Sequence, residues 1–405
     1  MNTHAKGGFS GEPTLNFDIP AEIERRRHEF REVLDAEIRG PGIARDPKGP
    51  LSLEELQHFY GILQQTDIMR ASLPEAVGGT NRSFLERVIL AQEFVRAWPS
   101  LAVTVDSHNI VVEIIARQGA GWMIDRYVPG GISGALIMGD MMSEPEAGSD
   151  TRNLKTTAEL RDGHYVINGT KMWTTNGVWA HVAILTAVVD ENAYRRKPTE
   201  GVVHLLMDKS EVDWEVSDLP IIGLKAGTTG KIDFRDARVP ETFLFHDAGE
   251  GYRENLIVRG WARLLLAAWS VGLMEAAIED ATAFAKERVT FGKSIAEHQM
   301  IQDLIVQMHV DLETSRLLTY KAASLMDRGE RCDYEQCLAK LHTTEAVQRV
   351  TGNAIQILGG RGLTTEEGFL TERHYRDARF LTIAEGTSQI MKLIVGRKAL
   401  GVSAI

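Results

Sequence analysis

The stretch Leu264–Met274, LLLAAWSVGLM, limits the possible folds more than any other part of the chain. Wound as a helix it is apolar on nearly every side, relieved only by Ser270 and Gly272, and such a helix must be surrounded. It is about half the roughly 20 residues that a membrane span requires. The pattern instead continues with helical spacing from Leu264 to Arg288, so it predicts a core helix with other helices packed around it. Gln299 to Arg328 and Tyr334 to Leu358 have the spacing to pack there, and the second stops at a Gly359-Gly360 C-cap. A last helix is expected from about Ser388.

The rest of the chain divides by period. From Ile19 to Gly139 the spacing is helical, with a charged amphipathic segment at Ala21–Ile38 and an apolar one at Phe84–Ala97. Between Asp140 and Leu244 the period drops to that of strands. The expected strands are His164–Trp173, folded back at an Asn168-Gly169 turn, then Val182–Val189, Val202–Met207 and Lys231–Phe234. For 405 residues, at about 150 per domain, this order predicts an α+β, mainly α chain in three parts: 1–138 helical, 139–248 a small β domain, and 249–405 helical. The net charge of -11 (45 basic against 56 acidic residues) argues against nonspecific nucleic-acid or membrane-surface binding. Cys332 and Cys337 are too few and too close for a disulfide framework or a zinc site. That and an amino terminus lacking an apolar signal core lead us to expect a cytoplasmic protein, or an organelle-matrix one in a eukaryote.

Four segments carry more hydroxyl, glycine and charge chemistry than folding needs. The first, Met142-Ser143-Glu144-Pro145-Glu146-Ala147-Gly148-Ser149-Asp150, joins the helical and β parts; its amides suit a phosphate or flat ring, though a plain crossing turn reads the same way. The second, Trp173-Thr174-Thr175-Asn176-Gly177, ends a strand with an aromatic and two hydroxyls, and a Trp there is ordinarily core. The third, Arg288-Val289-Thr290-Phe291-Gly292-Lys293 with His298-Gln299, also suits a solvated helix end facing its dipole. The fourth runs from Gln356-Ile357-Leu358-Gly359-Gly360-Arg361-Gly362 through Tyr375–Arg379 to Ala384-Glu385-Gly386-Thr387-Ser388-Gln389-Ile390. Its glycines follow a helix, so they are no dinucleotide fingerprint. Glu385 alone suits an ordinary helix-start acid with Ser388 as N-cap.

Taken together and in this order, the segments resemble the acyl-CoA dehydrogenase family of flavoproteins over nearly the whole chain. The residues that carry the resemblance are Ser143–Asp150, Lys171–Gly177, Glu287–Lys293, Gln356–Gly360, Arg376–Arg379 and Glu385–Ile390, with Pro74-Glu75, Gly78-Gly79 and Val239-Pro240 in step. The resemblance implies an N-terminal helical domain, a central β-barrel and a C-terminal four-helix bundle. It implies FAD as cofactor, with Met142, Ser143, Trp173, Thr174 and Thr175 at the flavin ring. Arg288, Phe291, Gln299, Gln356, Gly359 and Gly360 would reach the dinucleotide of a neighbouring subunit, and Thr387 and Gln389 would join them. A homodimer or homotetramer follows.

The reaction implied is α,β-dehydrogenation of an acyl thioester to the trans-2-enoyl thioester, with electrons passed to an electron-transfer flavoprotein. Glu385 stands where the family has its base. A carboxylate in water is too weak a base at neutral pH, and desolvation beneath an acyl chain strengthens it. Relatives that carry the base immediately before the arginine of the core helix offer no alternative, because Ala262 precedes Arg263. Ser149, Arg263 and Gly386 are expected at the thioester's carrier arm. Gly260, beside Arg259, replaces a commonly found Asp, so a carrier-protein thioester stands beside acyl-CoA as substrate. Ala384 replaces a frequent Tyr, Trp269 stands where small residues are common, and Asp106 and His108 read as a polar pocket end or as satisfied structural groups. A same-fold oxidase or monooxygenase is the competing reaction.

Overall fold

A computed structural model of the chain describes residues 18–45, 48–197, 200–246, 251–365 and 370–402. The amino terminus expected to lack a signal core and the expected division at 248/249 lie outside the described residues. Helix α1 (Ala21–Val33) passes through a π-helical turn, Leu34–Ile38, into α2 (Arg39–Arg45). Then come α3 (Leu53–Leu63), α4 (Phe84–Ala97), α5 (Pro99–Gln118) and α6 (Gly121–Ser133). Ser52 and Ser83 cap α3 and α4, and Pro99 opens α5, where a missing N–H costs nothing. The charged face of α1 meets protein: Arg27 and Arg31 bond Glu93 of α4 at 2.6 Å. This is why α4 is buried all round despite its acids and arginines.

The middle strands are β1 (Met138–Met141), β2 (Thr157–Arg161), β3 (His164–Thr175) and β4 (Val182–Val188), then β5 (Val202–Asp208), β6 (Glu215–Asp218), β7 (Thr229–Pro240) and β8 (Leu244–His246). A short helix α7 (Glu191–Arg196) separates β4 from β5. They form one eight-stranded sheet in the order β6-β7-β3-β2-β4-β5-β8, with β1 parallel to β4. The hairpin turn is not at Asn168-Gly169. It lies at Asp162-Gly163, whose φ values of 49° and 73° both suit a type I′ turn, between Arg161 and His164. Asn168-Gly169 is a bulge inside the long strand β3, where the register with β7 slips and Asn168 pairs with Asp236.

The core helix α8 (Gly251–Glu287) begins before the apolar run and ends one residue short of Arg288. By length and composition its span Gly260–Glu287 is apolar enough to cross a membrane, yet 89% of the 18-residue apolar stretch within it is buried inside the protein. A hairpin of β9 (Val289–Thr290) and β10 (Lys293–Ser294) leads into α9 (Gln299–Asp327), α10 (Asp333–Leu358), α11 (Thr371–Ala378) and α12 (Ser388–Leu400). Helices α9 and α10 pack on α8, α12 packs on α10, and α4 covers the remaining face of α8. At that crossing a Cβ on Gly272 would overlap the Gln92 carbonyl, so only glycine lets the two helices approach. Cys332 and Cys337 are both free and buried, and the described residues hold no His/Cys/Asp/Glu cluster suited to a metal.

Candidate active site

One part of the site forms where β1 and β3 end against α5. Asn176 donates to the carbonyls of Thr104 (2.9 Å) and Met138 (3.2 Å), fixing the end of β3 to both elements. The expected crossing turn is held from below. Lys171, fully buried on β3, donates to the Met142 carbonyl at 2.9 Å and to Glu144 at 2.7 Å. Glu144 also accepts from the amides of Lys155 (2.6 Å) and Thr156 (3.1 Å). Burial opposes ionisation of Glu144, but Lys171 and these donors outweigh it and hold its carboxyl below the usual range. Met172 N donates to the Ser143 carbonyl at 2.8 Å, so Met142 and Ser143 lie pinned beside the end of β3.

The expectation that Trp173 is core fails: it is 56% exposed, with a φ of 65°. Beside it Thr174 is buried with its hydroxyl unpartnered. An open indole face next to an unsatisfied hydroxyl fits a flat, hydrogen-bonding ring. Ser149 is exposed farther along the same loop.

A second part lies at the head of α12. Glu385 and Gly386 have φ values of 51° and 91°, and Glu385 is exposed. The N-cap of α12 is Thr387, which accepts from Ile390 N, and not Ser388. This segment connects to the first part through packed side chains. Ala384 N donates to the Phe380 carbonyl, the Phe380 ring lies 6.2 Å from that of Trp269, and Trp269 Nε1 donates to Asp106 at 2.7 Å. Asp106 is on α5, in the turn that carries Thr104. Burial pushes its carboxyl up to about 7, with Trp269 and Arg87 opposing. His108 donates from Nε2 to the Gly131 carbonyl (2.9 Å) and accepts at Nδ1 from Met138 N (3.1 Å). Both side chains therefore already have bonded partners inside the protein.

Behind Gly386, Arg263 of α8 and Lys340 of α10 face one another. Lys340 Nζ donates to the Gly386 carbonyl at 2.7 Å, and Arg263 lies against Cys337 with its Nε unpartnered. The space an Asp at 260 would fill is taken: a Cβ there would meet the Gln336 amide oxygen at 2.7 Å. The side chain of Arg259 lies outside the described residues.

The third part stands apart. Phe291 is 97% exposed at the tip of the β9–β10 hairpin, and Arg288, Gln299, Gln356, Gly359 and Gly360 are exposed too. Arg361 lies over Phe284, one turn before Arg288, which places the end of α10 beside the end of α8. Among the described residues no hydrogen bond joins these groups to Trp173 or Thr174.

The profile of the acyl-CoA dehydrogenase N-terminal domain matches residues 20–135, the middle domain residues 139–237 and the C-terminal domain residues 256–400. The chain belongs to the acyl-CoA dehydrogenase family. It is 30% identical to mitochondrial isovaleryl-CoA dehydrogenase of Arabidopsis thaliana, over 84% of this chain and 82% of the relative. It is also 30% identical to glutaryl-CoA dehydrogenase of Desulfococcus multivorans, over 96% and 99%. A solved glutaryl-CoA dehydrogenase in complex with glutaryl-CoA superposes with a TM-score of 0.88 at 29% identity, covering 96% of this chain and 97% of that one. The protein is an oxidoreductase of acyl-CoA dehydrogenase type, and its cofactor is FAD.

Glu144, Lys171 and Lys340 are buried charged groups beside the site that motif reading left without a role. The first two lie inside quoted motifs. Lys340 had one faint signal, a cation among Ala339, Thr343, Thr344 and Val347 on the buried face of α10.

Proposed function

We propose that this acyl-CoA dehydrogenase acts on short acyl-CoA thioesters, with Glu385 as the base that removes the α-proton. The observation that carries the base assignment is the open, left-handed Glu385 at the head of α12, linked through Phe380, Trp269 and Asp106 to the strand end bearing Trp173. Ala262 removes the other position for a base in this family. Trp173, Thr174 and Thr175, with Met142 and Ser143, hold the flavin ring; FAD, when bound there, accepts the substrate's β-hydrogen as a hydride. Glu385 takes the α-proton, the carbon–carbon double bond forms between the two centres, and the Glu385 backbone N–H supports the thioester oxygen as charge gathers on it. Electrons leave to an electron-transfer flavoprotein.

The short-chain reading rests on Trp269, whose buried indole fills the space between α5, α8 and the turn at Phe380. Asp106 and His108 are already bonded, which removes the support for a polar acyl end. Arg288, Phe291, Gln299, Gln356, Gly359 and Gly360 serve the FAD of a second copy, with Thr387 and Gln389, in a dimer or tetramer. In support, α9 carries exposed Val306, Val310 and Leu317 on one face. A carrier-protein thioester is the second reading, favoured by the Gln336 amide where an arm-binding carboxylate is missing. Ser149, Arg263 and Gly386 contact the arm in either case.

The test is anaerobic flavin bleaching with butyryl-, isovaleryl-, glutaryl-, octanoyl- and palmitoyl-CoA and with butyryl-carrier protein. Fast bleaching by butyryl- or isovaleryl-CoA is expected, and fast bleaching by palmitoyl-CoA alone overturns the short-chain reading. Glu385→Gln should retain the 450 nm absorbance and lose at least about 10³-fold in turnover. Normal rates in that variant would sink the base assignment.

A further inference from the structure

Lys340 has no explanation in packing. It is fully buried about two turns into α10, and its ammonium makes one hydrogen bond, to the Gly386 carbonyl at 2.7 Å. No carboxylate lies within ion-pair distance of it among the described residues. Lys171 shows what a structural buried lysine looks like here: a carboxylate at 2.7 Å and a carbonyl at 2.9 Å, with the carboxylate further tied to two amides. A buried cation held by a single peptide oxygen is poorly compensated by comparison.

The peptide it holds is unusual. Glu385 is a residue with a side chain in the left-handed region, followed by Gly386 at a φ of 91°. Such a pair persists only where its surroundings impose it. Thr387 caps α12 from one side, and the Phe380 carbonyl receives Ala384 N from the other. Between these anchors the carbonyl of Gly386 is fixed by Lys340. The structure assigns Lys340 as a positioning residue for the proton-abstracting carboxylate: its ammonium clamps Gly386 and thereby fixes the direction in which Glu385 leaves the backbone. The inference rests on Glu385 being the base.

The clamp carries a pH signature. The charged groups facing Lys340 are Glu385 from the clamped segment, Arg263 from α8, and Cys337 and Glu345 from its own helix. Burial brings the ammonium down to about 8, Glu385 pulls it up and Arg263 opposes. Above that pH the clamp loses its charge and its charge-assisted bond weakens.

The experiment measures kcat and KM against pH for FAD-loaded wild type, Lys340→Met, Lys340→Arg and Glu385→Gln, together with the unfolding midpoint at pH 7. Wild type should show an alkaline fall in kcat centred near pH 8. Lys340→Met should lower kcat about 10- to 100-fold with little change in KM, lack that limb, and keep or raise the unfolding midpoint. Lys340→Arg, charged at every accessible pH, should recover part of kcat and move the limb upward. Wild-type kcat with an unchanged profile in Lys340→Met overturns the clamp. So does a fall in kcat that only parallels a lowered midpoint, which marks a packing role. If Glu385→Gln is inactive while Lys340→Met is normal, the clamp alone fails; if Glu385→Gln turns over normally, the base assignment fails whatever Lys340 does.

Discussion

Replacing Asp106 with asparagine isolates one buried charge and leaves its shape in place. Asparagine keeps an oxygen for Trp269 Nε1, which donates to Asp106 at 2.7 Å, and a cavity of about 30 Å³ lined by Ser72, Arg87 and Asn109 adjoins the site. Burial raises the Asp106 carboxyl from 3.8 to about 7. That shift is worth about 4 kcal/mol against the folded state once both states are ionised. The sign is the reverse of a salt-bridged carboxylate. Between about pH 4 and pH 7 the folded protein holds a proton that the unfolded chain has released, so wild-type stability falls as pH rises. Integrated over that window, the cost is about 2 kcal/mol at pH 5 and about 4 kcal/mol at pH 8. The amide introduced by Asp106→Asn does not titrate. Urea unfolding of the FAD-saturated proteins should therefore show the variant gaining about 2 to 3 kcal/mol on wild type between pH 5 and pH 8. A stability gap that stays flat over this range, or narrows, refutes the reasoning.

Trp269→Ala should open the space beside Phe380 at a cost of about 3–5 kcal/mol, and raise kcat/KM for octanoyl-CoA relative to butyryl-CoA by at least about tenfold. An unchanged ratio in a folded, yellow variant would mean that the indole does not limit chain length. Lys171→Met leaves Glu144, 3% exposed, as a buried charge without its counter-ion, held only by the Lys155 and Thr156 amides. We expect a loss of about 3–5 kcal/mol in thermal or urea unfolding, with weaker flavin retention because Met142 and Ser143 lose their support. Wild-type stability there would show that the pair is dispensable.

What was legible in the sequence follows from how far apart the interacting residues are. Helix α4 announces its ends locally, with Ser83 as cap and Pro99 just beyond, and its observed limits Phe84–Ala97 coincide with the pattern. The turn within the first hairpin was misplaced because Asn168-Gly169 and Asp162-Gly163 carry the same local chemistry. Only the pairing of β3 with both β2 and β7 decides which one turns and which one bulges. The same limit applies at the site. The motifs at Trp173 and Glu385 can be read by resemblance, but Trp269 finds its partner 163 residues away and Lys340 finds its partner 46 residues away. Asp106 and His108, equally polar in sequence, can be told from pocket residues only after their partners are seen.

Three features near the head of α12 each cost stability, and their proximity argues for function. Glu385 occupies a left-handed conformation that costs a residue with a side chain about 1–2 kcal/mol. Asp106, bonded to the indole that packs on Phe380, is a carboxylate driven toward neutrality by burial. Lys340 is lowered from 10.5 to about 8, which amounts to about 3 kcal/mol against folding at neutral pH. Its sign also differs from that of an ordinary ion pair. Between about pH 8 and 10.5 the unfolded chain holds the proton and the folded protein does not, so stability rises with pH across that window and the full cost is present below it. Folding alone gives little reason for a buried cation at 340. Unfavourable terms gather where a conformation must be imposed rather than merely allowed, and here the imposed conformation is that of the carboxylate proposed to take the proton.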